Sequence, residues 1–295
     1  MAKDIKVLRK KIKSFDSTLH LTGAMGLVAS SKIRKATDAM LEGRKYLEAI
    51  TEVVNDLKKC PECRTCKYFG LEDKKKDSSS VSDTSENTTP RTKLIVIAGD
   101  RGLCGGYNAN VFRLVRDMDD IDIIPIGKRA YDRYTTDLNE TEDDYAENNV
   151  FESSEYYTYE SALKLANECV KDFAEGKLDK LGIVYNRYVS IMTQEPEVKW
   201  VLPLERPQSG DVNTGVFEPD PFTLLNDIVP QYVAGVLYAL VKESFACEVA
   251  ARRMAMDSAK KNATEMIDNL QLEYNRVRQS KITQEITEIV AGSGK

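Results

Sequence analysis

The sequence predicts an α/β fold in which a long antiparallel two-helix coiled coil, formed by the N- and C-terminal segments, carries a central domain with a mostly parallel sheet. Three observations predict it. Apolar residues recur in steps of three and four over residues 1–58 and again over 222–295, the period of long helices that pair along a seam. Between them, short β-branched runs alternate with helical stretches, which is the pattern of a parallel sheet. Two tracts without periodicity, 59–90 and 207–221, separate the parts, leaving 91–206 as the central domain.

In the first segment the apolar series runs Ile5, Leu8, Ile12, Phe15, Leu19, Thr22, Gly26, Ala29, Ile33, Ala36, Met40, Gly43, Leu47, Ile50, Val54, Leu57. Eleven of these sixteen positions are large and the rest are small, over more than seven heptads. A straight helix of that extent is roughly 80 Å long at ~1.5 Å per residue, more than the width of an ordinary domain. It must therefore project or lie along a partner. Gly23 and Gly26 each weaken a helix by ~1 kcal/mol relative to Ala, so the alternative is two shorter helices with a break between Leu19 and Ser31. The segment is basic, twelve Lys/Arg against seven Asp/Glu, which suits a negatively charged partner surface.

Residues 59–90 hold three cysteines, Cys60, Cys63 and Cys66, and a polar run from Ser78 to Thr89 that cannot bury apolar area and reads as a flexible linker. Lys93–Ala98 is a buried strand followed by a glycine-rich turn at residues 99–106. Asn108–Met118 is helical, Ile121–Ile126 is a second strand, and 128–135 suits a short helix. Asp137–Glu160 carries nine acids and no base, so its first half reads as a solvated loop. Ser153–Glu175 forms a helix capped by Ser153 or Ser154. Lys180–Ile191 and Glu195–Leu204 are strands joined at Met192–Gln194, a hairpin added to a Rossmann-like α/β domain.

From Phe222 the helical pattern returns and holds to Val290, with a drifting register that marks a supercoiling helix. Pro230 starts or kinks it. At roughly 100 Å it is longer than the first, so its end outruns the internal partner. Past residue 265 it presents Met266, Ile267, Leu270, Leu272, Ile282, Ile286, Ile289 and Val290, which would aggregate unless another protein encloses them.

Composition bounds the function. With 42 basic and 47 acidic residues among 295, the chain lacks the basic excess of a general nucleic-acid binder. The most apolar uncharged stretch, Ile228–Val241, falls short of the ~20 apolar residues of a membrane span. The start, Met1-Ala2-Lys3-Asp4, resembles neither a signal nor a transit peptide, so the chain is expected to stay where it is made. Gly102-Leu-Cys-Gly-Gly106 lies between a strand and a helix, as a phosphate cradle would, but it lacks G-x-G-x-x-G and the Walker lysine and reads better as a tight turn. A nucleotide-dependent enzyme using that turn is one reading from this pattern, and a coiled-coil adaptor is another. His20, the single histidine, sits on the first helix where a surface position fits better than catalysis. No metal site is assigned. Cys60, Cys63 and Cys66 have C-x-x-C spacing but no nearby histidine as a fourth ligand, which leaves open a reduced surface cluster, zinc binding, or a redox-sensitive disulfide.

Several blocks resemble the gamma subunit of the rotary F-type ATP synthase. These are Thr22-Gly-Ala-Met-Gly-Leu-Val-Ala-Ser-Ser-Lys-Ile-Arg34, Asp100-Arg-Gly-Leu-Cys-Gly-Gly-Tyr-Asn108, Phe217-Glu-Pro-Asp-Pro221, Glu248-Val-Ala-Ala-Arg-Arg-Met-Ala-Met256, and the C-terminal block from Leu270 to Val290. The resemblance spans nearly the whole chain and implies a central shaft without a catalytic site or cofactor of its own. It implies as partners three alpha and three beta subunits, the epsilon subunit and the membrane c-ring. The location implied is peripheral, at the cytoplasmic face of a bacterial membrane. Carried over, Met25, Lys32 and Arg34 lie where the shaft meets the acidic lever of beta. Arg252, Arg278, Gln279, Thr283 and Glu285 engage beta or fix the two helices together, and Ile286, Ile289 and Val290 turn in an apolar bearing. The sequence departs from the family at Gly23 and Gly26, where many members carry lysine or another longer residue.

Overall fold

A computed structural model describes residues 5–69, 91–118, 120–135, 152–206, 215 and 217–293. The Ser78–Thr89 tract, most of the acidic stretch after Asp137 and most of the 207–221 linker lie outside the described residues. The elements are α1 (Ile5–Lys58), a 3-10 turn (Pro61–Thr65), β1 (Thr92–Ile97), α2 (Tyr107–Arg116), β2 (Ile121–Ile126), α3 (Lys128–Tyr134), α4 (Tyr159–Ala174), β3 (Lys180–Tyr188), β4 (Gln194–Leu202) and α5 (Pro221–Gly292). The chain forms two compact units, Met1–Lys32 with Arg252–Lys295, and Ile33–Ala251.

Both long helices are unbroken. α1 runs through Gly23 and Gly26. Their combined cost of ~2 kcal/mol is small beside ~1.5–3 kcal/mol for each large apolar side chain its buried stripe removes from water, beginning with Leu8 and Met40 at 2% exposure. α5 contains Pro230, which takes a backbone hydrogen bond out of the helix. Leu225, Val229, Val233, Val236 and Leu237 are buried on either side of it and outweigh that loss. One 18-residue window of α5 reaches a mean hydropathy of 1.4, long and apolar enough to cross a membrane, but 56% of it is buried within the protein. Its apolarity belongs to the core.

In the unit of residues 33–251 the sheet order is β2-β1-β3-β4. β1 is parallel to β2 and to β3, with Ile95 opposite Ile124 and Ile183, and β4 returns antiparallel beside β3 with Tyr188 opposite Gln194. Alternate residues of β1 serve opposite faces. Leu94, Val96 and Ala98 meet Val111 and Val115 of α2 and Ala130 of α3. Ile95 and Ile97 join a larger core with Val54 and Leu57 of α1, Ala162, Ala166 and Cys169 of α4, and Val233, Val236, Leu237 and Leu240 of α5. With both faces covered, continuous rather than alternating apolar strands are required, as the sequence shows. Here α1 and α5 run antiparallel: Gly43 packs on Ala239, and Tyr46 presses on Gly235 further back along α5.

Two local expectations need correction. Residues 153–155 do not begin the helix; Thr158 caps α4 instead, accepting from the Ser161 amide at 3.2 Å. Ser153, Ser154 and the Glu155 amide converge on Asp100, whose carboxylate accepts from Ser153 Oγ at 2.6 Å, the Ser154 amide at 3.2 Å and the Glu155 amide at 3.3 Å. A half-buried carboxylate offers these groups more than a helix start does. The cysteine cluster is not at the surface either. Cys60, Cys63 and Cys66 are free thiols at 2, 0 and 5% exposure, because the turn they occupy folds back into the larger core beside Val54, Leu57 and Leu225.

Candidate functional site

The candidate site is built from the two long helices. In the unit of residues 1–32 and 252–295, α1 and the end of α5 run antiparallel, with Gly26 on Met256 and Arg253 Nη1 donating to Ser30 Oγ at 3.0 Å. Thr22, Gly26 and Ala29 form a buried stripe on α1, with Met256 of α5 facing Gly26, and Ala263 is buried further along α5. Gly26 is thus a packing position: a methyl there would lie 3.6 Å from Met256 Cβ, in ordinary contact, whereas a long charged side chain would have to leave the seam. Gly23 has nothing within 4 Å of its would-be side chain.

Around this seam the expected contact residues are distributed as follows. Met25 and Lys32 are half-buried on α1 and share a unit with the half-buried Arg252 of α5, while the exposed Arg34 lies on α1 in the other unit. Sequence reasoning passed over three neighbours of Met25. Leu21, Leu27 and Val28 are 62, 75 and 58% exposed, an apolar outer surface on α1 that the heptad pattern, tuned to the inner face, does not register. It also passed over Arg253, which bonds the two helices and pairs along its own helix with Asp257 at 3.7 Å.

Toward the end of α5 the half-buried positions stop at Val277. Every residue from Arg278 to Ser293 is exposed, including Arg278, Gln279, Thr283 and Glu285. Ile282, Ile286, Ile289 and Val290 are 47, 56, 69 and 64% exposed. Thr283 donates its hydroxyl to the Gln279 carbonyl and Thr287 to that of Thr283, so two expected contact residues are linked through one turn of helix. His20 is on the surface of α1, 3.9 Å from Asp16. Among the described residues no group of three or more His, Cys, Asp or Glu is placed to hold a metal ion.

In the other unit, polar groups tie α5 to the sheet. The Arg44 guanidinium meets the Glu243 carboxylate at 2.8 Å, and that carboxylate also accepts from the Tyr188 amide at 2.9 Å. The hydrogen bond to Glu243 holds the Arg44 pKa above its ordinary value, against burial. Tyr107, at the start of α2, sets its hydroxyl 2.8 Å from Ser244 Oγ, and burial followed by the Glu248 charge raises its pKa well above the usual phenol value. Asn108 braces the glycine turn, accepting from the Gly99 amide at 2.9 Å and donating to Cys104 Sγ at 3.3 Å. α5 packs beside this turn: the Glu248 carboxylate lies against Gly99, and Cys104 and Tyr107 are buried with Cys247.

Comparison with known proteins agrees with this architecture. The ATP synthase family model matches residues 4–294. The ATP synthase gamma chain of Ruminococcus albus is 37% identical over 98% of both chains. The chain belongs to the ATP synthase gamma family. As a gamma-family member it is a central-stalk rotor subunit, a component of a membrane-associated ATP synthase complex. A gamma chain from Acetobacterium woodii, described as sodium ion specific, is 33% identical over 99% of both chains. Among solved structures, a chain of the Euglena gracilis mitochondrial ATP synthase superposes with a TM-score of 0.62 at 20% identity, covering 98% of this chain and 93% of that one, a likeness of fold.

Proposed function

We propose that this gamma-family chain acts as a shaft without a catalytic site of its own. It would turn within a ring of three alpha and three beta subunits while its α/β part engages epsilon and the c-ring. The observation that carries the proposal is the run from Arg278 to Ser293, a helical end with four large apolar side chains about half or more exposed. Such a surface is stable in water only when a protein socket encloses it. Ile286, Ile289 and Val290 are the bearing surface, and Arg278, Gln279, Thr283 and Glu285 are the polar contacts beside it. Lower down, Met25 with Leu21 and Val28 offers an apolar pad to the beta lever, which Leu27 extends round the outer face, while Lys32, Arg34 and Arg252 supply cations for its acids. Coupling follows from asymmetry: a shaft that touched all three beta conformations equally would shift none of them. The coupling ion in this proposal is the proton, and the location is peripheral, at the cytoplasmic face of a bacterial membrane. The division into coiled-coil helices 1–58 and 222–295 and base domain 91–206 is the matching division of labour.

Reconstitution with the alpha, beta and epsilon subunits and the membrane sector in sealed vesicles tests this. Truncation after Asn275 is expected to leave the α/β domain folded and to weaken ATP-driven ion pumping relative to hydrolysis. Pumping at the full-length ratio would refute the role given to residues 278–290. The rival reading, a nucleotide-binding enzyme, uses the turn at residues 102–106, and micromolar nucleotide binding by the isolated chain would favour it.

A further inference from the structure

In an open α/β sheet, ligands enter at the carboxyl ends of the strands where the chain order reverses, since neighbouring connections diverge there and leave a crevice. In this chain that point lies between β1 and β3, because β1 leads to β2 on one side and pairs with β3 on the other. A segment of α5 fills it. Glu248, 2% exposed, sets its carboxylate so close to Gly99 that a Cβ there would lie 2.7 Å from Cδ and 2.9 Å from Oε1. Ser244, fully buried, takes its place between Tyr107 and β3: the Tyr107 hydroxyl donates to the Ser244 carbonyl at 2.9 Å, and the Asn186 amide donates to Ser244 Oγ at 3.5 Å. Cys247 donates its thiol to the Asn186 carbonyl at 3.2 Å, and Glu243 accepts from the Tyr188 amide. Residues 243, 244, 247 and 248 share one helical face by their spacing.

We propose that this face of α5 is an internal ligand of the α/β crevice, and that it keys the helix to the sheet so that torque passes between them. An apolar helix face resists rotation about its own axis only through packing. Directional bonds to α2 and β3 at fixed positions, with the Glu248 carboxylate seated against Gly99, resist it directly. Gly99 is the notch, because without a side chain it admits the carboxylate, and Ser244 and Glu248 are positioning residues. Nothing in the proposal requires this crevice to receive a small molecule.

The inference rests on the rotor reading, and the test separates the two. In the reconstituted complex, rotation is followed with a probe on the α/β part, and ion pumping is measured against ATP hydrolysis. Absence of ATP-driven rotation with the wild-type chain would sink the rotor reading itself. With rotation present, Tyr107→Phe, which keeps the ring and removes one hydroxyl, and Gly99→Ala are each expected to broaden the angular spread of the probe at its pauses and to lose pumping per ATP, with hydrolysis retained. Gly99→Ala combined with Glu248→Ala is expected to recover part of the loss seen with Gly99→Ala alone, because the added methyl then has room. Wild-type spread and pumping in Tyr107→Phe and Gly99→Ala would overturn the proposal, as would losses that simply add in the double variant. Should Gly99→Ala fail to fold, the Tyr107→Phe spread decides.

Discussion

At the scale of single residues, most of the information lies in groups that are buried and charged or polar. Glu243 accepts from both Arg44 and the Tyr188 amide. Glu243→Ala would leave that amide without its acceptor and the guanidinium with the Tyr188 carbonyl at 3.4 Å. Because Arg44 still reaches water, the expected loss is about 2 kcal/mol rather than the larger value of a fully buried pair, and chemical denaturation measures it. Gly127 has a φ of +90°, and a methyl there would stand 2.0 Å from the Ala98 carbonyl oxygen. Gly127→Ala is therefore expected to destabilise the α/β domain by at least ~2 kcal/mol, read in the same experiment. The cysteines make a prediction about pH. Burial, reinforced by Cys60, Cys66 and nearby acids, pushes the Cys63 thiol from 9.0 up to about 11. The folded state keeps that proton over an interval in which the unfolded chain has lost it. The contribution to stability is thus complete below pH 9.0 and is lost as pH rises toward about 11. Alkylation at neutral pH is expected to spare the cluster in the native chain and to reach it after denaturation. Rapid native-state labelling would show that the turn opens.

At the scale of elements, the helices and strands were legible because each repeats one simple rule many times. The seam from Ile5 to Leu57 outweighs two glycines, and the run from Leu94 to Ala98 can only be a strand covered on both faces. What escaped the sequence was decided by single long-range partners. Ser153 and Ser154 look like helix caps, and only the arrival of Asp100 from the β1 turn makes them anion ligands instead. The cysteine turn reads as polar linker, since nothing local announces that Leu225 and Leu57 will close over it. Of the contact residues, the exposed end of α5 follows from counting helix lengths. The apolar pad at Leu21, Leu27 and Val28 does not, because isolated exposed apolar residues are ordinary in any sequence. That pad carries an expectation of its own: Leu27→Asp, on the outer face at 75% exposure, should leave helix content unchanged and weaken coupling in the assembled complex. Circular dichroism and pumping assays check the two halves.

At the scale of the whole molecule, the gamma family supplies the frame, and this chain's own residues supply the mechanics. A buried apolar stretch of α5 anchors it in the α/β core, a polar face at residues 243–248 fixes its orientation there, and its exposed end is left for other subunits. Each feature asks for a helix that transmits rotation. The most direct measurement is single-molecule observation of the chain assembled with alpha and beta subunits, with a probe on the α/β part and ATP supplied. The account predicts sustained turning in one direction, pausing three times per revolution in step with the three beta subunits. A complex that hydrolyses ATP with the chain firmly bound while the probe stays still would contradict it.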